Sequence, residues 1–198
     1  MRPTPPPWAL PKVAVINGSL RKDSINKKLA LAIARLAAGR LDLKLVDIAD
    51  LPLYNQDLEA NMPAAVTRLK AEIDAADAIL FVTPEHNRSI PAALKNVIDW
   101  VGRPYGQSNW PGKPGAIVGT TPGQIGTAVA QTHLRAVALT QGIAVLPQPE
   151  IYFAWKDGVI DAEHNVTDPQ AKRILQGFVD AFVPWVARLA PVRKEKAA

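Results

Sequence analysis

The stretch Val13-Ala14-Val15-Ile16-Asn17-Gly18-Ser19-Leu20-Arg21-Lys22-Asp23-Ser24-Ile25-Asn26 decides the fold. Its four leading apolar residues, two of them Val and one Ile, read as a short buried strand. Asn17-Gly18-Ser19 ends that strand in a loop. Residues 26–38 then place Leu29, Ile33 and Leu36 on one helical face. A buried strand thus leaves through a polar loop into an amphipathic helix.

The alternation continues along the chain. Leu43, Leu45 and Ile48 predict a second strand, broken by Leu51-Pro52-Leu53-Tyr54-Asn55. A helix over 63–76 groups Val66, Leu69 and Ile73, with Pro63 in its first turn. Ala78-Ile79-Leu80-Phe81-Val82 is the clearest buried strand and stops at Thr83-Pro84. Pro91 opens a helix with Leu94, Val97, Ile98 and Val101 on one face, and residues 115–119 form a fourth strand. A helix near 127–141, a fifth strand over 143–147 and a last helix capped by Asp168-Pro169 complete the pattern, with Pro184 expected to kink or fray that helix. Five strands alternating with five helices predict a doubly wound α/β domain with a five-stranded parallel sheet. In such sheets ligands lie beyond the carboxyl ends of the strands, at the switch in strand order. The loops to inspect are therefore 17–26, 83–91 and 119–127.

One domain over residues 12–190 is expected from 198 residues, with a Pro-rich tail at 1–11 and a basic tail at 191–198. The chain has no cysteine, which excludes disulfides, thiolate catalysis and cysteine-ligated metal clusters. Histidines at 86, 133 and 164 are too few for a conventional metal site, so no metal is expected. Redox chemistry in such a chain must come from an organic cofactor. The net charge of +5 falls to +2 once the single Arg of the first tail and the surplus of two after residue 192 are set aside. Without a basic run interleaved with aromatics, no nucleic-acid partner is expected. No apolar run reaches 18 residues and the start lacks a secretory apolar block, so no membrane association and a cytoplasmic location are expected.

In the first loop, Ser19, Arg21, Ser24 and Asn26 crowd the mouth of a helix. A helix start offers unpaired N–H groups and a positive dipole, and hydroxyls with one Arg complete a phosphate cradle. The same residues also fit an ordinary capped helix start, with Ser24 or Asn26 as the cap. In the second loop, Thr83-Pro84-Glu85-His86-Asn87-Arg88-Ser89-Ile90-Pro91, two prolines stiffen a polar segment whose amides suit a planar heterocycle. An ordinary solvated turn is the alternative. Trp110 is expected near the site mouth or at an interface, Trp100 at the end of its helix, Trp8 and Trp185 as docking anchors near the termini, and His133 as a surface or packing residue. The first loop lacks G-x-G-x-x-G spacing, which argues against a dinucleotide fold, and neither a P-loop nor a G-x-S-x-G elbow is present.

Gly18 to Asn26, together with Thr83-Pro84-Glu85-His86-Asn87 and Pro91-Ala92-Ala93-Leu94-Lys95-Asn96-Val97-Ile98-Asp99-Trp100, resembles the NADPH-dependent FMN reductase family. Leu51 to Asp57 is similar to that family's loop after the second strand, and the resemblance spans roughly residues 12–185. It implies a flavodoxin-like three-layer sandwich that uses FMN, with NADPH or NADH as co-substrate and a quinone-like or other oxidised acceptor. Ser19, Leu20, Arg21, Ser24, Ile25 and Asn26 would hold the FMN phosphate. Pro84, Glu85, His86 and Asn87 would wrap the flavin ring, chiefly through main-chain amides, and Thr120, Thr121 and Gly123 would approach its other edge. No side chain is expected to act as acid, base or nucleophile. The family often has Tyr where this chain has His86, and relatives carry larger polar residues at Val129 and Thr132. A homodimer or homotetramer is implied; a flavodoxin-type electron carrier, without nicotinamide oxidation of its own, is the alternative.

Overall fold

The computed structural model describes residues 9–190. Both expected tails, and Trp8 with them, fall largely outside the described residues. The first strand, β1 (Lys12–Asn17), leads to α1 (Ile25–Leu36), then β2 (Asp42–Leu45), a short 3-10 helix (Gln56–Asn61) and α2 (Ala64–Ala75). Next come β3 (Ala78–Val82), α3 (Ala92–Val101), β4 (Pro114–Thr121) and α4 (Ala128–Thr140). Two short segments, β5 (Ala144–Val145) and β6 (Ile151–Ala154), precede the long α5 (Pro169–Leu189).

All pairings are parallel, in the order β2-β1-β3-β4-β5, and β6 also pairs β4. The fifth position is shared by two segments: Ala144 and Val145 lie against Pro114 and Gly115, and Ile151 to Ala154 against Val118 to Thr121. The single fifth strand expected over 143–147 is thus corrected to a strand interrupted around Pro147-Gln148-Pro149. Two prolines supply no N–H to the ladder, so the chain leaves β4 at Gly115 and rejoins it three residues along that strand, at Val118. The expected fraying at Pro184 is also corrected: α5 continues through it to Leu189. Pro184 is exposed, on the solvent side of a helix whose inner face carries Leu175, Phe178, Phe182 and Val186.

Strand periodicity divides the core between the two sheet faces. Val13, Val15, Leu80, Val82, Ala116 and Val118 face α1 and α5, while Ala14, Ile16, Ile79, Phe81 and Ile117 face the side covered by α2, α3 and α4. Every residue of β3 is fully buried, which explains its unbroken apolar sequence. Trp110 belongs to the second face, fully buried beside Phe81 with its indole N–H donating to the Ile98 carbonyl, and is neither at the site mouth nor on the surface. Trp185 packs against the first face and donates to the Ala144 carbonyl at 2.8 Å.

Candidate functional site

The switch in strand order falls between β1 and β3, whose carboxyl ends open beside that of β4. The ladder runs one residue past the strands: the Gly18 N–H donates to the Val82 carbonyl and the Thr83 N–H to the Val118 carbonyl, each at 2.9 Å. The three polar loops therefore start side by side.

The first loop is shaped locally and left open. Asn17 turns it, its Nδ2 donating to the Ser19 carbonyl at 2.9 Å and its Oδ1 accepting from the Ser19 N–H. Ser24 is the helix cap, its hydroxyl oxygen accepting from the Lys27 N–H at 3.2 Å. Between them, the main-chain N–H groups of Leu20 to Asn26 have no partner among the described residues. Leu20 and Arg21 are exposed, and Arg21 has no ion-pair partner among the described residues. No acidic residue occupies the first turn of α1, so its dipole faces the loop uncompensated. Gly18 lets the second loop close in: a Cβ there would meet the Pro91 ring at 3.0 Å and Pro84 Cδ at 3.3 Å.

The second loop is a tight hairpin. His86 and Ser89 exchange both main-chain hydrogen bonds, at 3.0 and 2.9 Å, around Asn87 and Arg88. Both central residues have positive φ, 49° and 61°, as a type I′ turn requires. Among residues 84–87, Pro84 has no N–H and that of His86 is engaged, so Glu85 and Asn87 present the free amides. The Glu85 carboxylate turns away to α4, where Oε2 accepts from the N–H groups of Val129 and Ala130, both at 3.1 Å. Since Thr127 gives α4 no side-chain cap, Glu85 caps that helix from a distant loop and ties the second loop to the third.

The third loop is held from inside. Asn26 Nδ2 donates to the Thr120 carbonyl at 2.9 Å while its Oδ1 accepts from the Thr120 N–H at 3.0 Å. The Thr120 hydroxyl donates to the Phe153 carbonyl at 2.7 Å. Gly119 sits where a Cβ would lie 2.1 Å from the Thr83 carbonyl oxygen and 2.2 Å from Thr127 Oγ1. Thr121 is half-buried and Gly123 exposed at the rim.

The family model for NADPH-dependent FMN reductase matches residues 11–157. The chain belongs to this family. It is 49% identical to a 2-hydroxy-1,4-benzoquinone reductase from Burkholderia, over 88% of this chain and 96% of that protein. It is 47% identical to a quinone reductase from Pseudomonas putida, over 88% and 94%. Among solved structures it resembles the flavoenzyme NAD(P)H:acceptor oxidoreductase FerB from Paracoccus denitrificans, with TM-score 0.89 and 49% identity over 91% of this chain and 99% of that one. The flavodoxin-like fold and the function that the resemblance implies, an FMN-dependent NAD(P)H oxidoreductase, therefore hold.

The donor set fits FMN: a row of free amides, two hydroxyls and one unpaired guanidinium stand at a helix start, as a phosphate monoester requires. The contacts of Asn96 and Trp100 add to the helical face and helix-end packing expected for this segment. Asn96 Oδ1 accepts from the Tyr54 N–H at 2.8 Å, and Asn96 Nδ2 and the Trp100 indole N–H both donate to the Pro52 carbonyl. Tyr54 meets Trp100 edge-on with centroids 5.0 Å apart. These residues fasten loop 51–55 beside α3. The Tyr54 hydroxyl donates to Glu59, and that bond is the main reason its pKa is raised above 10.0. Among the described residues no group of three or more His, Asp or Glu is placed to hold a metal, and no helix is long and apolar enough to cross a membrane.

Proposed function

We propose that the enzyme reduces quinone-like acceptors with NAD(P)H over a single flavin face, the nicotinamide leaving before the acceptor enters. The observation that carries this is the contrast among the three loops: one bears donors without partners among the described residues, the other two are fastened by long-range hydrogen bonds. The names of the relatives support the acceptor class. FMN, when bound, supplies the redox chemistry, passing the two electrons of a nicotinamide hydride to the acceptor.

The protein's part is position and polarity. Ser19, Arg21, Ser24 and the amides from Leu20 to Asn26, with that of Ile25 at the first helical residue, would grip the phosphate. The free amides of Glu85 and Asn87 would face the ring's heteroatoms. Pro84 and the αL pair fix those amides before the ring arrives, which lowers the ordering cost of binding. The loop at Thr121 and Gly123 would flank the other edge, backed by Thr120 and Asn26. His86 stands on the exposed side of the hairpin, where relatives of the family often carry Tyr. A homodimer or homotetramer in the cytoplasm belongs to the same reading.

The test is the absorption spectrum of the purified protein, followed by steady-state oxidation of NADPH and NADH with 1,4-benzoquinone. The expected result is one FMN per chain and parallel-line double-reciprocal plots. A flavin-loaded protein that oxidises neither nicotinamide would instead favour an electron carrier. The body's charge of +2 speaks against that alternative, since carriers of this kind present an acidic docking face.

A further inference from the structure

The helices differ in how the positive ends of their dipoles are met. α5 is capped from within, Asp168 accepting from the Ala171 N–H at 2.7 Å. α1 has Ser24 as its cap and no acid in its first turn. α4 has no acid in its first turn either, and Thr127, a residue type suited to the cap, instead accepts from Gln131 Nε2 at 3.0 Å. The compensating carboxylate of α4 is brought in from Glu85, whose Oε2 accepts from the Val129 and Ala130 N–H groups. A local side chain would satisfy those amides, so capping alone does not call for an acid in the second loop.

Glu85 adds charge at a particular place. Its side chain is 11% exposed, and the main-chain N–H of the same residue is one of the free amides of that loop. Carboxylate and amide are therefore one side chain apart. α4 cannot swing away, because the fully buried Gln131 also donates to the Ile151 carbonyl at 2.7 Å. Arg88 is the cation paired with Glu85 among the described residues, 3.6 Å from Oε1, and it is 69% exposed. A full negative charge, a fixed helix end of about half a positive charge and a solvated cation thus meet behind the second loop.

Resting on the reading above that residues 84–87 lie along the ring, we propose that Glu85 sets the reduction potential of the bound flavin, holding it below the value that the bare end of α4 would impose. A hydride carries one proton and two electrons. A flavin ring that accepts it gains one negative charge, and the nicotinamide it leaves becomes one charge more positive. A positive helix end beside the ring favours the gained charge and a carboxylate opposes it, charge near the ring nitrogens being one of the means by which a protein tunes a flavin. With Glu85 seated on α4 the two largely cancel. The reduced flavin is then not trapped, and it gives its electrons to the acceptor more readily.

The test is equilibrium reduction of the FMN-loaded protein by dithionite against a reference dye, with the dissociation constant of oxidised FMN measured on the apoprotein. No nicotinamide is used. Glu85→Gln keeps the side chain's length and an acceptor for α4 while removing the charge. The ratio of dissociation constants, reduced over oxidised, should fall about tenfold, the scale of a charge at a partly buried helix start, which is a potential about 30 mV higher. Glu85→Asp keeps the charge but is one methylene too short to hold both N–H groups. Its apoprotein Tm should fall while its potential stays at or below the parent's. Arg88→Gln should raise the ratio about threefold, and that shift should shrink as salt is added, because Arg88 stands in solvent.

Equal potentials in the parent and Glu85→Gln overturn the proposal. So does an equal rise in Glu85→Asp, which would make lost capping the cause and not lost charge. A Glu85→Gln protein that loses oxidised and reduced FMN in the same proportion makes Glu85 a strut only, and also overturns it. Arg88→Gln probes the same field without touching α4, and a potential that does not fall there has the same meaning. FMN uptake with unchanged potentials defeats this inference alone, whereas a parent protein that takes up no FMN defeats the reading beneath it.

Discussion

The loop at 17–26 and the loops at 83–91 and 119–127 are similarly polar in sequence but differ in how their polar groups are used. From Leu20 to Asn26 the amides have no partner among the described residues, and Arg21 stands in solvent with no acid of those residues paired to it. In the other loops Glu85 caps α4, the Thr120 hydroxyl bonds to β6 and the Thr120 main chain is clasped by Asn26. One region keeps donors for a ligand, and the other uses them to hold its shape. Substitution of an unengaged donor in the first, such as Arg21, should change FMN affinity and leave the apoprotein's stability alone. Those in the second should destabilise the protein whether or not FMN is present.

The largest effect is expected at Gly119, where the loops are closest. Gly119→Ala forces a Cβ against the Thr83 carbonyl oxygen and Thr127 Oγ1, the first being backbone that has no rotamer to yield. A loss of about 3 kcal/mol or more is expected, on the scale of severe overpacking. That corresponds to a Tm lower by roughly 6–12 °C in a domain of this size. Gly123→Ala is the control, since its Cβ would meet nothing closer than 3.8 Å and its stability should stay within about 0.5 kcal/mol. Equal Tm values for the two variants would break the distinction between a locked wall and its rim.

Asn26 and Arg21 test the comparison within a single loop. Asn26→Leu leaves the Thr120 N–H buried and unpaired, which should cost about 1–3 kcal/mol with or without FMN. Arg21→Gln removes no internal contact, so the apoprotein Tm should match the parent. Its FMN dissociation constant should rise about tenfold, and the stabilisation on adding FMN should shrink by about 1.4 kcal/mol. Differential scanning of each variant with and without FMN separates the two. An apoprotein Tm that falls in the Arg21 variant would contradict its unpaired state.

Locally encoded features were legible in the sequence. The Val13-to-Ile16 and Ala78-to-Val82 runs, the Asp168 cap and the helical faces all depend on neighbours within a few positions, and each element stands where its pattern placed it. The Ser24 cap of α1 was legible for the same reason. The rest depends on long-range partners. Asn26 and Thr120 are 94 residues apart, and Glu85 lies 44 and 45 residues from the amides it caps, so nothing in either local pattern separates a clasp from a ligand donor. Trp110 follows a turn-rich segment that reads as surface, yet it is buried against Ile98 of α3 and Phe81 of β3. The Ile151-to-Phe153 run carried a strand signal of its own, two residues past Pro149, but its pairing with the far half of β4 is visible only in three dimensions.

The smallest effect concerns a second exposed arginine, and it shows what Arg21 lacks. Arg40 is paired with Asp180 across the α1–β2 turn and α5, far along the chain from the site. Donation by Arg40, then by Gln176, holds the Asp180 carboxyl below its ordinary value of 3.8. A carboxylate lowered on folding adds stability that is complete above the unfolded-state value and disappears as pH falls through the lower folded-state value. Acidification from pH 5 to 2 should therefore lower the urea midpoint less steeply in Asp180→Asn than in the parent, the difference lying below about pH 4. Arg21→Gln should follow the parent's acid limb, because that guanidinium has no ion-pair partner among the described residues. If it departed from the parent there, Arg21 would have an acidic partner in solution and the first loop would not be free.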